Sequence, residues 1–375
     1  MQTALQALSY VDLPGWADDD HLAAFHCFLK SAYLFEGADG PKTRALGIDG
    51  LALGQIFAEA RRQAAHMQSA ATAKAFFETY FTPIIFADET PFADYPGLLT
   101  AYFEPVVDGS LTRSEAFPVP LLRRPDDLVE TKSTTPDDIP DDWPEGLRFA
   151  KKTAQGLVPF FDRSEIEGRA FSDGALAGQG LELVWLANHV EAFFIHIQGS
   201  ASIRLQQGGT LRVSYDGKSG HDYTAIGKVL KDMGALAPGN ITMQTIKAWL
   251  LENPDRQLEV LHQNRSFIFF QEEKNLKPDS GPRAAAGAQL TKGRSLAVDR
   301  VLHTFHTPVF VSYSRDSAIH NRLMIAQDTG SAIVGPHRGD YFAGSGSDAG
   351  ETAGGFAAPC RFVVLMPRAQ QDLPT

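Results

Sequence analysis

The sequence is poor in cysteine and in positive charge. Its 375 residues include two cysteines, Cys27 and Cys360, which excludes a disulfide-rich scaffold. We interpret both as small apolar core residues, while a single bridge between them stays open. The 34 Lys and Arg residues are outnumbered by 45 Asp and Glu residues, which gives a net charge of −11. Because nucleic acids and anionic membranes bind basic surfaces, this balance argues against both as general partners.

Long apolar runs are also missing. No stretch reaches the roughly 20 apolar residues of a membrane-spanning helix, so we expect no membrane span in this chain. The first residues, Met1 to Gln6, do not resemble a secretory leader, so either the protein is cytosolic or a leader has been removed. The sequence by itself does not decide whether the protein carries a lipid anchor.

Three common catalytic motifs are absent. The segment Asp216 to Ser219 resembles the end of a phosphate-binding loop, but Arg212 stands where the first glycine belongs. No serine lies in a G-x-S-x-G elbow. His303 and His306 form an H-x-x-H pair without the adjacent glutamate of a zinc protease, so we interpret them as ordinary core or loop histidines. Neither a metal nor another cofactor is predicted.

Hydrophobic periodicity divides the chain into helical and β-rich parts. Helices are predicted after the acids Asp18 to Asp20, over about 53–81, and over two stripes near 226–233 and 246–250. Short strands are predicted at 98–103, 183–186, 193–198, 211–215, 266–270, 309–313, 323–326 and 362–365, with a turn at 216–220 and a surface loop at 123–146. Many short strands separated by turns indicate a barrel or a sandwich.

Two carboxylates stand 12 residues apart in a glycine-rich stretch. Asp328 follows an apolar strand, and Asp340 precedes the aromatic pair Tyr341-Phe342. One interpretation is that both acids cap local turns. The other is that they line a groove, where burial and like charge would keep Asp340 protonated near neutral pH. A protonated carboxyl group is what cleavage of a glycosidic bond requires.

Seven segments together resemble the membrane-bound lytic murein transglycosylase A (MltA) family over most of the chain. They are TAYFEP at 100–105, IQGS at 197–200, YTAIG at 223–227, NRSFIFF at 264–270, RSLAVD at 294–299, AQDTG at 326–330 and GDYFAGSG at 339–346. The resemblance implies a mainly β fold with helical additions. A double-psi β-barrel catalytic domain with N-terminal helices would comprise residues 1–105 and 264–375. An inserted β-rich domain, residues 106–263, would form the other wall of a glycan groove.

The resemblance also implies roles for individual residues. Asp340 would be the catalytic acid and Asp328 its supporting acid, while Asp299 would either hold one of them in place or cap a turn. Tyr102 would stack on a sugar or fill the core, and Thr100 would share its strand face. Gln198 and Ser200 would bind the glycan or form a turn. Tyr341 and Gly344 complete the candidate substrate-binding set.

The implied reaction is cleavage of the β-1,4 bond between N-acetylmuramic acid and N-acetylglucosamine, which leaves a 1,6-anhydromuramic acid end. The alternatives are a peptidoglycan-binding module without turnover and a glycoside hydrolase that uses water. Peptidoglycan strands are the predicted partner, with other cell-wall enzymes as further candidates. The expected molecule is a monomer of the bacterial envelope, in the periplasm.

Overall fold

The structure is a computed structural model that describes residues 5–37, 39–86, 95–131, 139–140, 143–144, 147–274 and 281–368. The chain divides into two compact units. Unit 1 comprises Met1–Phe103 and Lys277–Thr375, and unit 2 comprises Glu104–Leu276.

The regular elements near the N-terminus are mostly helices, and those near the C-terminus are mostly strands. The first part of the chain contains β1 (Leu5–Ala7), α1 (His21–Ala32), α2 (Gly50–Gln63), α3 (Ala70–Tyr80), β2 (Phe81–Phe86) and β3 (Gly97–Glu104). The middle part contains β4 (Val106–Ser110), β5 (Val119–Leu122), β6 (Leu128–Glu130), β7 (Phe149–Thr153), β8 (Gly156–Pro159), α4 (Arg163–Glu167), β9 (Glu182–Leu186), α5 (His189–Gln198), β10 (Ser200–Leu205), β11 (Thr210–Lys218), α6 (Ile226–Asp232), α7 (Met243–Glu252), α8 (Pro254–Leu261) and β12 (Ile268–Glu272). The last part contains β13 (Ser295–Val298), β14 (Pro308–Arg315), β15 (Ala318–Asp328), β16 (Arg338–Ser345), α9 (Ser347–Gly354) and β17 (Ala357–Pro367). Three short 3-10 helices cover Tyr10–Asp12, Trp16–Asp18 and Ala64–His66.

The strands of unit 1 form a barrel. Their order is β1-β2-β17-β14-β15-β13-β16-β3, and β17 pairs with β3 as well. That second pairing closes β17, β14, β15, β13, β16 and β3 into a ring. The mainly β fold implied by the resemblance is confirmed, while the double-psi crossover pattern stays a prediction.

Phenylalanine rings pack the helices of unit 1 against the barrel. Phe25 and Phe28 of α1 are fully buried and contact Phe76 and Phe77 of α3, and the same cluster includes Phe310 of β14. Each buried ring contributes roughly 2–3 kcal/mol through the hydrophobic effect. The helices therefore form one core with the strands and do not merely decorate them.

Helix α1 begins where the acidic run predicts. The Asp20 carboxylate accepts a hydrogen bond from the Ala23 amide at 3.0 Å, which satisfies one free N–H of the first turn. Cys27 on this helix and Cys360 on β17 are both free and buried, so their predicted core role is confirmed.

Unit 2 contains two sheets and five helices among its described residues. One sheet has the order β12-β11-β10-β4-β9-β5, and the smaller one has the order β6-β7-β8. Strand β12 pairs antiparallel with β11. Residues 264–274 therefore belong to unit 2, whereas the resemblance implies that the barrel domain resumes at residue 264.

The predicted strand at 193–198 is wrong, because these residues form the second half of α5. The Asn188 side chain accepts a hydrogen bond from the Glu191 amide at 2.9 Å and starts the helix, and Gly199 ends it with a left-handed φ of +78°. The helix is apolar on two sides, since Ile195 packs in one core cluster and Phe193 in another. A short helix buried on both sides shows no polar face, so its periodicity resembles that of a buried strand.

Three other local predictions need correction. The helix predicted over 53–81 is interrupted between α2 and α3, because the Ser69 hydroxyl caps a new helix by accepting from the Thr72 amide. The predicted turn at 216–220 is largely strand, since β11 continues to Lys218 across an irregularity between Tyr215 and Gly217. The predicted loop at 123–146 contains β6, and 132–138, 141–142 and 145–146 of it lie outside the described residues.

Among the described residues, no helix is both long and apolar enough to cross a membrane.

Candidate active site

Asp328 and Asp340 lie on the two barrel strands that flank β13. Asp328 is the last residue of β15, Asp340 lies in β16, and β13 runs between them. Ala297 of β13 is in register with both acids. Residues in register on neighbouring strands point to the same face of a sheet. With neighbouring strands about 4.8 Å apart, the Cα atoms of the two acids are separated by about 10 Å. The two carboxyl groups thus share one face with only an alanine side chain between them.

Two hydroxyl groups of β3 contact these acids. Thr100 Oγ1 donates to Asp340 Oδ1 at 2.7 Å, and Tyr102 OH donates to Asp328 Oδ2 at 2.7 Å. The spacing of two residues puts both hydroxyls on one face of the strand, as the sequence predicts. The structure thereby gives Thr100 and Tyr102 a direct part in holding the acids, whereas their contact with a glycan stays a prediction.

Asp328 is surrounded by hydrogen-bond donors. Besides Tyr102, the amides of Ala285 and Thr329 donate to its Oδ1 at 3.0 and 2.9 Å. Burial raises the pKa of Asp328 above its usual value, and these three hydrogen bonds oppose that rise. A carboxylate accepts hydrogen bonds at both oxygens, so the donors are suited to the ionised form of Asp328.

Asp340 has fewer donors and a more perturbed pKa. Burial raises the pKa of Asp340 to about 6, with a smaller contribution in the same direction from the Asp328 charge. The Thr100 hydroxyl and the Arg338 guanidinium favour the ionised form and limit the rise. A carboxyl group with a pKa close to neutral pH can both donate and accept a proton.

A bulge in β15 precedes Asp328. The pairing of β13 with β15 passes from Leu296–Ala326 to Ala297–Asp328 and leaves Gln327 without a partner position. The extra residue shifts the alternation of side chains along β15, so that Asp328 and not Gln327 is in register with Ala297. Asp328 reaches the face of the acids, while Gln327 is completely buried.

The buried amide of Gln327 links β15 to α1 and β13. Its Oε1 accepts from Ser295 Oγ at 2.6 Å and from Cys27 Sγ at 3.2 Å. Its Nε2 donates to the Cys27 carbonyl at 3.1 Å and to Ser31 Oγ at 2.7 Å. The sequence analysis missed Gln327. The available signal was a polar residue at the end of an apolar strand, directly before a candidate catalytic acid.

Asp299 holds loops and does not contact the other two acids. Its Oδ1 accepts from the Val301 amide and its Oδ2 from the Gly335 amide, both at 2.9 Å. Gly335 belongs to the segment that leads into β16. Of the two predicted roles, the structure therefore favours the capping of a turn.

Tyr341 and Gly344 occupy different faces of β16. Tyr341 alternates with Asp340, is 8% exposed and packs edge-on against Phe356 with a centroid distance of 4.9 Å. It packs in the core, and its contact with a substrate stays a prediction. Gly344 lies on the face of Asp340 with a φ of +120°, and an added Cβ would lie 3.2 Å from Lys292 Cδ. Both features favour glycine there.

Gln198 and Ser200 belong to unit 2. Gln198 is the last residue of α5, and Ser200 begins β10, where it is in register with Ser214 and 7% exposed. Both residues therefore lie in the same unit, and their role in glycan binding stays a prediction.

The candidate histidine pair is buried in unit 1. His303 and His306 are 1% and 2% exposed, and burial lowers the pKa of each to about 4. They are neutral core residues, as their interpretation from the sequence predicts. In the described part of the chain, no group of three or more His, Cys, Asp or Glu side chains is arranged to hold a metal ion.

Comparison with protein families identifies two matching models. The MltA specific insert domain matches residues 98–271, and the 3D domain matches residues 294–366. The second match contains Asp299, Asp328 and Asp340.

Individual relatives agree with these matches. A membrane-bound lytic murein transglycosylase from Agrobacterium tumefaciens is 38% identical with a TM-score of 0.85, and the alignment covers 97% of this chain and 98% of that one. MltA from Neisseria gonorrhoeae is 30% identical with a TM-score of 0.75, and 98% and 93% of the two chains are covered. Membrane-bound lytic murein transglycosylase A of Vibrio cholerae is 34% identical over 48% of this chain. The chain spans between 50% and 62% of the lengths of the curated relatives that it matches.

Proposed function

The chain belongs to the membrane-bound lytic murein transglycosylase A family, and we propose on this premise that it cleaves the β-1,4 bond between N-acetylmuramic acid and N-acetylglucosamine in peptidoglycan. The product would carry a 1,6-anhydromuramic acid end. We place the reaction in the periplasm of the bacterial envelope. The observation that carries the proposal is the unequal acid pair Asp328 and Asp340 on one face of the barrel.

Asp340 serves first as the general acid. Its pKa of about 6 leaves a protonated fraction near neutral pH, whereas an ordinary aspartate would be almost fully ionised. The protonated carboxyl donates to the oxygen of the scissile bond, and the N-acetylglucosamine side leaves as an alcohol.

The same carboxyl then serves as the base. The ionised Asp340 takes the proton of the C6 hydroxyl of the muramic acid, and O6 forms the new bond to C1. One proton is given and one is taken back, so the cycle consumes no water and Asp340 ends protonated. The Thr100 hydroxyl supports the transient carboxylate, because its donation favours the ionised form.

Asp328 serves as the electrostatic partner. Positive charge develops at the sugar ring while the bond to the leaving group breaks, and a nearby anion stabilises that charge. The donors Tyr102, Ala285 and Thr329 hold the Asp328 carboxylate in place for this task.

The Asp340→Asn substitution tests the proposal. Asn cannot donate a carboxyl proton, so we expect at least a thousandfold loss of soluble product from purified murein sacculi, on the scale of losing a general acid. The wild-type products should be one water lighter by mass spectrometry than those of a hydrolase.

The matched control is Glu351→Gln, an exposed carboxyl-to-amide change on α9, which should keep wild-type activity. Products that retain the water would assign the chain to the hydrolases. Binding of sacculi by the wild type without any product would assign it to the binding modules. Full activity of Asp340→Asn would contradict the role of Asp340.

A further inference from the structure

Arg338 lies on the face that carries the two acids. Side chains alternate along a strand, so Arg338 and Asp340 of β16 point to the same side, with Cα atoms about 6.8 Å apart. Its charge favours the ionised form of Asp340, but neither the proton transfer nor the charge stabilisation assigned above uses its N–H donors. These donors are therefore available for a further contact.

The guanidinium of Arg338 is half-buried, and the nearby charge that affects it most is that of Asp340. Its Nη1 donates to the main-chain oxygens of Leu98, at 3.3 Å, and of Gly339. Among the described residues, neither Nε nor Nη2 donates to a protein acceptor, and no carboxylate lies within 4 Å. Burial lowers the pKa of Arg338, as expected for a cation that is partly removed from water without a contacting anion.

Such a group is suited to bind a carboxylate. A guanidinium presents its N–H donors in a planar fork that matches the two oxygens of a carboxylate, and it stays charged at all physiological pH values. The two bonds from Nη1 fix the orientation of the plane and leave Nε and Nη2 available. Leu98, whose carbonyl takes part, is itself 43% exposed, so the position combines an accessible apolar side chain with a cation.

We infer that Arg338 binds a free carboxylate of the peptide attached to the muramic acid next to the scissile bond, and that the site thereby selects peptide-bearing strands over bare glycan. This inference rests on the proposed function. The peptides of murein carry carboxylates and small apolar side chains, and both kinds of group match Arg338 and Leu98. Arg338 lies two residues from Asp340 on the same face of β16, and the peptide is attached to the sugar on which Asp340 is proposed to act.

The test compares three substrates that share one glycan. They are strands with intact peptides, strands freed of peptides by an amidase, and strands whose peptide carboxylates have been converted to amides. We expect the loss of kcat/KM in Arg338→Gln to be about tenfold larger on the first substrate than on the other two, since a charge-assisted hydrogen bond is lost only there. Arg338→Lys should fall between, because it keeps the charge and loses the fork.

Two controls separate this effect from general damage. Arg62→Gln removes an exposed arginine of α2, which pairs with Glu59, and should leave all three rates unchanged. Each rate is measured at the pH optimum of the variant, so that a change in Asp340 ionisation does not enter the ratio. Equal losses of Arg338→Gln on all three substrates would overturn the inference.

A binding experiment distinguishes this inference from the proposed function. Calorimetry on Asp340→Asn, with and without Arg338→Gln, measures affinity for soluble fragments with and without peptides. When Arg338 is replaced, we expect the peptide-bearing fragment to bind about tenfold more weakly and the peptide-free fragment to bind as before. If the wild type forms no anhydro product, the proposed function fails while the affinities still decide the role of Arg338. If the affinity ratio does not change, the carboxylate contact is refuted even in an active enzyme.

Discussion

At the scale of single residues, the two acids differ in the groups that surround them. Asp328 accepts three hydrogen bonds, two of them from main-chain amides, whereas Asp340 accepts one from Thr100. Both are withdrawn from water, which raises the pKa of each. The donors oppose this effect more strongly at Asp328. A similar difference between neighbouring carboxyl groups is how enzymes assign one acid to proton transfer and the other to charge stabilisation.

The raised pKa of Asp340 predicts a pH-dependent cost to folding. In the unfolded chain this carboxyl titrates near 3.8 and in the native protein near 6, so between these values the native state binds more protons. Stability therefore falls as the pH rises through this window. Asp340→Asn removes the cost and should be more stable than the wild type at pH 7 by about 3 kcal/mol, from the difference of about two pKa units.

Urea denaturation from pH 3.5 to pH 7.5 measures this effect. The advantage of Asp340→Asn should be near zero below about pH 4 and should reach its full size above about pH 6. Glu351→Gln on the exposed side of α9 should show no such window. A constant difference at every pH would mean that Asn changes packing and not charge. Higher stability would also show that an inactive Asp340→Asn is not simply unfolded.

At the scale of elements, the position of Asp328 depends on a bulge and a helix. The bulge at Gln327 separates a buried amide from an acid on the open face, and the amide binds the α1 carbonyl of Cys27 and the Ser31 hydroxyl. Helix α1 is remote in sequence from β15, yet it contacts the residue before the acid. The position of Asp328 therefore depends on contacts between its neighbour Gln327 and helix α1.

Gln327→Leu tests this coupling. Leucine fills similar space but leaves the buried hydroxyls of Ser295 and Ser31 with fewer partners. We expect a loss of about 2–4 kcal/mol in the free energy of unfolding, because unsatisfied buried polar groups are costly. Gln68→Leu is the control, since the Gln68 side chain is exposed and bonds only the Ala65 carbonyl. Equal stability of the two variants would refute the importance of the network.

The elements also show where hydrophobic periodicity is not sufficient to predict secondary structure. Strands β3 and β15 follow from apolar and aromatic runs, and α1 follows from its acidic cap, whereas β13 and β16 are not predicted from the sequence. Helix α5 does not, because cores on two sides of it remove the polar face that identifies a helix. The bulge at Gln327 is equally invisible, since an extra residue in a strand does not change its composition.

At the scale of the whole molecule, the net charge of −11 bears on how a carboxylate-bearing polymer is recognised. Charges of equal sign repel at long range, so we expect binding of such a polymer to depend on local contacts within the proposed site. Added salt screens the repulsion and weakens exposed ion pairs, but it affects half-buried contacts less.

Salt titration of the reaction measures this balance. Between about 20 and about 200 mM NaCl we expect KM for peptide-bearing strands to change by less than about threefold. Added salt weakens long-range electrostatic attraction, and an acidic protein exerts none on an acidic polymer. A loss of binding by an order of magnitude over this range would show that a basic surface attracts the glycan, against the expectation from composition.

The sequence by itself determined the family, the mainly β fold, the candidate acids and the hydroxyls Thr100 and Tyr102, because these depend on local patterns and on side-chain chemistry that is visible in the chain. Tertiary structure decided which groups meet. It places both acids in register with Ala297 and provides each acid with a hydroxyl donor. It also packs Tyr341 in the core and places Asp299 within hydrogen-bond distance of loop amides. Strand register, burial and the field of neighbouring charges arise only when distant segments pack together. For that reason the buried Gln327 and the half-buried guanidinium of Arg338 could be found only in the folded molecule, while a raised pKa of Asp340 is one of two interpretations that the sequence allows.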